Sequence, residues 1–142
     1  MGLFMSLPLP AEILPHRNSM LVLERVTECS ADRIIAHMTL DEEHLAFQGH
    51  FPARPIVPGI FLIEAMAQTL AYGYLFENPD KSSVLLVGIK EARFRHPAFP
   101  NQRLEIEVWR RGAKLKLLCG VGHVRYDGQT IAEATVSGVV EG

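Results

Sequence analysis

Cysteine is scarce. Cys29 and Cys119 are the only two in 142 residues; they lie far apart, outside any Cys-x-x-Cys spacing and with no histidine at metal-ligand spacing. That excludes a disulfide framework and a zinc site, and leaves both as small buried hydrophobes. No charged start followed by an apolar run and a cleavage site precedes the first strand-like segment, so a cytoplasmic setting is expected. No stretch reaches about 18 consecutive apolar residues, which argues against a membrane span. An excess of positive charge is missing too: 14 Lys and Arg stand against 16 Asp and Glu, without the basic surplus of a nucleic-acid binder. Internal repeats and low-complexity tracts are absent. What remains, 48% apolar and 21% charged, is the composition of an ordinary globular domain, and the length suits one domain over 1–142. Residues 1–12, with Pro8 and Pro10, read as an extended lead-in. Met1-Gly2-Leu3-Phe4-Met5-Ser6 fits the short myristoylation pattern, a match of low specificity.

The pattern of elements is α+β. Leu21–Glu28 and Arg33–Thr39 are β-branched-rich runs separated by a polar turn, a hairpin signal. Asp41–His44 has the composition of one helical turn. Residues 49–59 then pack three prolines and two glycines into eleven residues, which predicts a stiff, irregular loop. Ile60–Phe76 is apolar nearly all round, the mark of a helix surrounded by protein. Strand follows strand after Asn78-Pro79: Val84–Phe94, Leu104–Arg110, Leu115–Tyr126 and Thr130–Val139, the last two joined by an Asp127-Gly128 turn. The expectation is one long central helix wrapped by an antiparallel sheet of about six strands.

Three features of this layout carry chemistry. Glu64 sits inside the helix that wants burial, where desolvation would raise its pKa and make it a proton donor; the alternative is a basic partner or an outlet to the surface. His50 stands on the stiff loop just ahead, with an ordinary pKa suited to proton transfer at cellular pH. Gly59 opens the helix, where free N–H groups favour developing negative charge and a missing Cβ admits a ligand. Such parts can remove the proton beside a thioester carbonyl and expel a hydroxyl. Charge is lopsided as well: residues 81–125 hold ten basic and three acidic side chains, either a docking patch for an acidic partner or strand charges balanced in space.

Phe47-Gln48-Gly49-His50-Phe51-Pro52-Ala53-Arg54-Pro55-Ile56-Val57-Pro58-Gly59-Ile60, continued by Glu64-Ala65-Met66-Ala67-Gln68, resembles the signature of the FabZ-type 3-hydroxyacyl-[acyl-carrier-protein] dehydratases. Leu14-Pro15-His16-Arg17 with Glu24-Arg25-Val26, and Gly88 to Arg95, resemble flanking segments of that family, so the likeness spans about residues 13–138. It implies a hot-dog fold and dehydration of a 3-hydroxyacyl thioester to the trans-2-enoyl product. It also implies a homodimer, able to stack into a higher assembly, in which catalytic His50 and Glu64 of one site come from different copies. Substrate contacts are implied for Gly59, Phe51, Val57 and Gln68, and no cofactor or metal is implied; because acyl carrier protein is strongly acidic, the basic excess, Arg93 and Arg95 above all, is expected to dock it. Glu64 stands where the related isomerising dehydratases carry Asp. The chain departs from the pattern at Ala53, Val57, Glu24, Asn101-Gln102 and Asn18-Ser19-Met20, which points to a specialised relative serving a polyketide or polyene pathway. A hot-dog thioesterase and a non-catalytic acyl-chain binder share the fold and stay open as alternatives.

Overall fold

The computed structural model describes residues 6–142; Met1–Met5, and with them most of the myristoylation-like pattern, lie outside the described residues. The short helix α1 (Pro10–Ile13) and a 3-10 turn (Asn18–Met20) lead into β1 (Arg25–Cys29) and β2 (Arg33–Met38). A second 3-10 turn (Leu45–Phe47) precedes the irregular loop and helix α2 (Gly59–Glu77). The chain closes with β3 (Ser83–Phe94), β4 (Leu104–Lys114), β5 (Leu117–Tyr126) and β6 (Gln129–Glu141). All six strands form one antiparallel sheet in the order β1-β2-β4-β5-β6-β3.

Helix α2 is held by this sheet on the face that alternation predicted. Leu104, Ile106 and Val108 of β4, Val124 of β5, and Ala132, Ala134 and Val136 of β6 all point inward and are buried. They meet Leu62, Met66, Leu70 and Tyr72 of the helix in one core. Two inward positions of β5 carry no side chain. A Cβ on Gly122 would come within 2.7 Å of Met66 Sδ and 3.0 Å of its Cβ, and one on Gly120 within 3.2 Å of Leu70 Cδ1. The helix therefore rests on bare backbone at β5. By length and composition alone α2 is apolar enough to cross a membrane, but 61% of it is buried inside the fold.

Differences from the sequence reading lie at the ends of elements. Leu21–Glu24 falls outside strand β1: the Val22 N–H is taken by the Gln68 side chain, and the Glu24 N–H donates to the His37 carbonyl at 2.7 Å just ahead of the strand. The extended lead-in ends in α1, and Tyr72 Oη donates to the Pro8 carbonyl at 2.7 Å. Asp41–His44 forms no helix; His44 instead caps the 3-10 turn by accepting from the Ala46 N–H. Leu115 turns with φ 61° and is 96% exposed, so β4 runs to Lys114 and β5 starts at Leu117. Asp127 (φ 51°) and Gly128 (φ 79°) form the expected tight hairpin. Cys29 and Cys119 are free and only partly buried.

Strand propensity favours alanine over glycine, whereas the space below Met66 does not admit it. Gly122→Ala should thus destabilise the protein by about 1–3 kcal/mol, the usual scale for overpacking. A urea melt checks this; a midpoint at or above that of the wild type would show that Met66 moves freely.

Candidate active site

The loop before α2 fixes His50 from three sides. Its N–H donates to the Phe47 carbonyl (3.3 Å), its carbonyl accepts from the Ile56 N–H (3.0 Å), and its ring Nδ1 lies 3.0 Å from the Ile56 carbonyl. A carbonyl only accepts, so Nδ1 carries a proton, and in the uncharged form of the ring the lone pair lies at Nε2. The Phe51 ring, half exposed, stacks on it with centroids 4.3 Å apart. Val57 is buried and ties the loop to the β3–β4 connection through its N–H and the Ala98 carbonyl, 2.8 Å.

Gly59 is the first residue of α2, following Pro58, so its N–H is among those a helix leaves without an internal partner. A Cβ there would fall 2.8 Å from Phe94 Cε1. His50, Val57, Gly59, Ile60, Phe94 and Arg95 are among the residues that line an open cavity of about 440 Å³. An imidazole lone pair and a helix N-terminus thus address the same space.

Glu64 lies elsewhere. Among the described residues it forms no hydrogen bond or ion pair with His50; it faces a cavity of about 290 Å³ with His16, Gln68 and Ser137, and a second of about 290 Å³ with Met20, Leu86 and Ile60, the last of which also borders the His50 cavity. Apolar side chains do not enclose it as the helix pattern implied: the carboxylate is 21% exposed, and its Oε2 sits 3.4 Å from His16 Nε2. Gln68, 1% exposed, orients it. The Gln68 amide donates to Glu64 Oε2 (2.7 Å) and to the Met20 carbonyl (2.5 Å), while its oxygen accepts from the Val22 N–H (3.2 Å). Expected as a substrate contact, Gln68 positions the acid, though it also lines the cavity. His16 is the site residue that sequence reasoning missed; its place in Leu14-Pro15-His16-Arg17 was the available signal.

The basic excess of 81–125 is largely dispersed by register. Arg95 pairs with Glu133 (2.6 Å), Arg103 with Glu24 (3.6 Å), Arg110 with Glu77 (2.7 Å) and Arg125 with Glu107 (2.7 Å). Burial works to raise the Glu107 carboxyl, but hydrogen bonds from Arg125 and Arg33 outweigh it and hold the group below the usual carboxylate range. Lys90 and Arg93 of β3 form no ion pair within 4 Å among the described residues, while Arg95, one residue past the strand, is paired with Glu133. Among the described residues no group of three His, Cys, Asp or Glu side chains could hold a metal ion.

A family model described as a FabA-like domain matches residues 14–135. The chain belongs to the FabA-like family. Among its relatives, a protein named 3-hydroxyacyl-[acyl-carrier-protein] dehydratase FabZ from Solibacter usitatus is 40% identical over 128 residues, covering 87% of this chain and 78% of its own. One of the same name from Thermotoga maritima is 39% identical over 122 residues, 86% of this chain and 88% of its own. In the solved structure of the dehydratase heterocomplex ApeI:P from Xenorhabdus doucetiae, one chain superposes with a TM-score of 0.85 over 96% of this chain and 93% of that one, at 17% identity. The FabA-like chain has the hot-dog fold, one long helix wrapped by an antiparallel sheet.

Gln68→Leu leaves at least the buried Val22 N–H without an acceptor, a loss of about 1–3 kcal/mol. Its unfolding free energy in urea should drop by that amount, and an unchanged midpoint would mean that Gln68 does not bridge helix and N-terminal segment.

Proposed function

We propose that this chain is a 3-hydroxyacyl-[acyl-carrier-protein] dehydratase acting as a cytoplasmic homodimer, each site built from His50 of one copy and Glu64 of the other. The separation of His50 and Glu64 carries this reading. A base on the loop before α2 that faces one cavity, and an acid on α2 itself that faces others, make half a site twice over. A two-fold pairing joins such halves, because an isologous contact brings face to face two surfaces that one chain holds apart. The open edge strand supports it: Leu85, Leu86, Val87 and Ile89 of β3 and Ile60 of α2 are 40% to 74% exposed, an apolar border that a second copy would cover. The names of the relatives supply the reaction class.

In the assembled site the Nε2 lone pair of His50 takes the proton from C2 of the 3-hydroxyacyl thioester. The thioester oxygen gathers negative charge against the Gly59 N–H at the positive end of α2. As the C2–C3 double bond forms, the C3–O bond breaks and the hydroxyl leaves as water with a proton from Glu64. Exchange with solvent returns one proton to Glu64 and removes one from the imidazolium. Phe51 stacks on His50 and Val57 lines its cavity, and Arg93 near the end of β3, with Arg95 just beyond it, receives the acidic carrier protein. No cofactor enters this scheme.

Incubation with a 3-hydroxyacyl carrier protein should yield the enoyl thioester; release of free acid would instead indicate a thioesterase. Division of the site is tested by mixing inactive His50→Ala and Glu64→Ala chains. About half of randomly paired dimers are mixed and each has one intact site of two, so about a quarter of wild-type activity should return. A doubly tagged mixed dimer as inactive as its parents would place both residues' work within one chain.

A further inference from the structure

The cavity at Glu64 extends well past the acid. Beyond the polar group of His16, Glu64 and Gln68, it runs along α2 over Ala67, Leu70 and Ala71, against Val136 and Gly138 of β6 and Val84 of β3. An alkyl chain suits that lining. Past Leu70 lies a second cavity of about 150 Å³, bordered by Leu118, Cys119, Glu77 and Arg110 and open toward the surface. Leu70 is the one residue that lines both. It is 4% exposed, and its Cδ1 lies against Gly120 of β5, so it cannot swing aside into the sheet. Six residues of helix separate it from Glu64, about 9 Å at about 1.5 Å each, which fits about seven extended carbons beyond the reacting C3.

Resting on the dehydratase reading above, we infer that Leu70 is the end wall of the acyl site and limits this protein to medium chains of about ten carbons. A longer chain meets the Leu70 side chain and must leave carbons in water, so its penalty grows with each methylene left outside. Removing the wall joins the two cavities and gives a longer chain an exit beside Cys119. Adding volume earlier in the channel has the opposite effect. Ala67 is the place for that, one helical turn before Leu70 and half-buried at the cavity wall.

The test compares kcat/KM for 3-hydroxybutyryl, 3-hydroxyoctanoyl and 3-hydroxytetradecanoyl pantetheine thioesters, each variant first checked for folding by circular dichroism and a thermal melt. In Leu70→Ala the tetradecanoyl-to-octanoyl ratio should rise about tenfold or more, a scale set by several newly buried methylenes. If that variant does not fold, the milder Leu70→Val should raise the same ratio by a few-fold. Ala67→Leu should lower the octanoyl-to-butyryl ratio about tenfold. Folded Leu70 variants with the wild-type length profile would overturn the end-wall assignment while leaving the reaction standing. A wild-type protein that dehydrates none of the three substrates would overturn the reaction, and the length limit with it.

Discussion

The close seat of α2 on β5 organises the molecule. Two side-chain-free positions, Gly120 and Gly122, let Met66 and Leu70 reach the sheet backbone. A helix buried so deeply has few ways to shift, since displacing it opens a void under the whole of β4, β5 and β6. Everything attached to α2 inherits that rigidity. Its first residue is pinned beside Phe94, and its second turn presents Glu64 at a fixed height beside the cavity that His16 and Gln68 also line. Dipole, acid and cavity floor are thereby parts of a single rod.

Polar economy around Gln68 binds the remaining pieces to that rod. One buried amide satisfies the Val22 N–H and the Met20 carbonyl while steering the Glu64 carboxylate. The N-terminal segment is therefore not packing alone; it delivers His16 to within 3.4 Å of the acid. On the opposite side, the His50 loop hangs from Phe47 and Ala98 and owes nothing to this network. The two chemical groups can thus be tuned separately, one by the Ile56 carbonyl and the other by a histidine and an amide.

Much of this was legible from residue order. The all-round apolar stretch located α2 within a residue at each end, and alternation in Leu104 to Trp109 fixed which face of β4 is dry. The proline-rich loop predicted a rigid His50. What escaped shares a physical cause, contact between residues remote in sequence. Leu21–Glu24 has strand composition but lends its backbone to a side chain 46 residues away. The basic block of 81–125 looked like a patch because its carboxylate partners, among them Glu24, Glu77 and Glu133, come from other segments. Glu64 read as a desolvated acid because nothing local announced His16. Nor does a spacing of fourteen residues tell whether two groups meet.

Strand β3 carries one further consequence, for the life of a newly made chain. Its free edge extends over twelve residues, with Leu85, Leu86, Val87 and Ile89 facing water. Such an edge is a template for any extended polypeptide, and a newly made chain presents it during every encounter in a crowded cell. Two irregularities, at Leu86/Gly88 and Lys90/Arg93, break the flat ladder, and Lys90, Glu91 and Arg93 charge its far half. They act as gatekeepers that spoil indiscriminate strand addition, leaving the uncharged half as the part of the edge open to pairing.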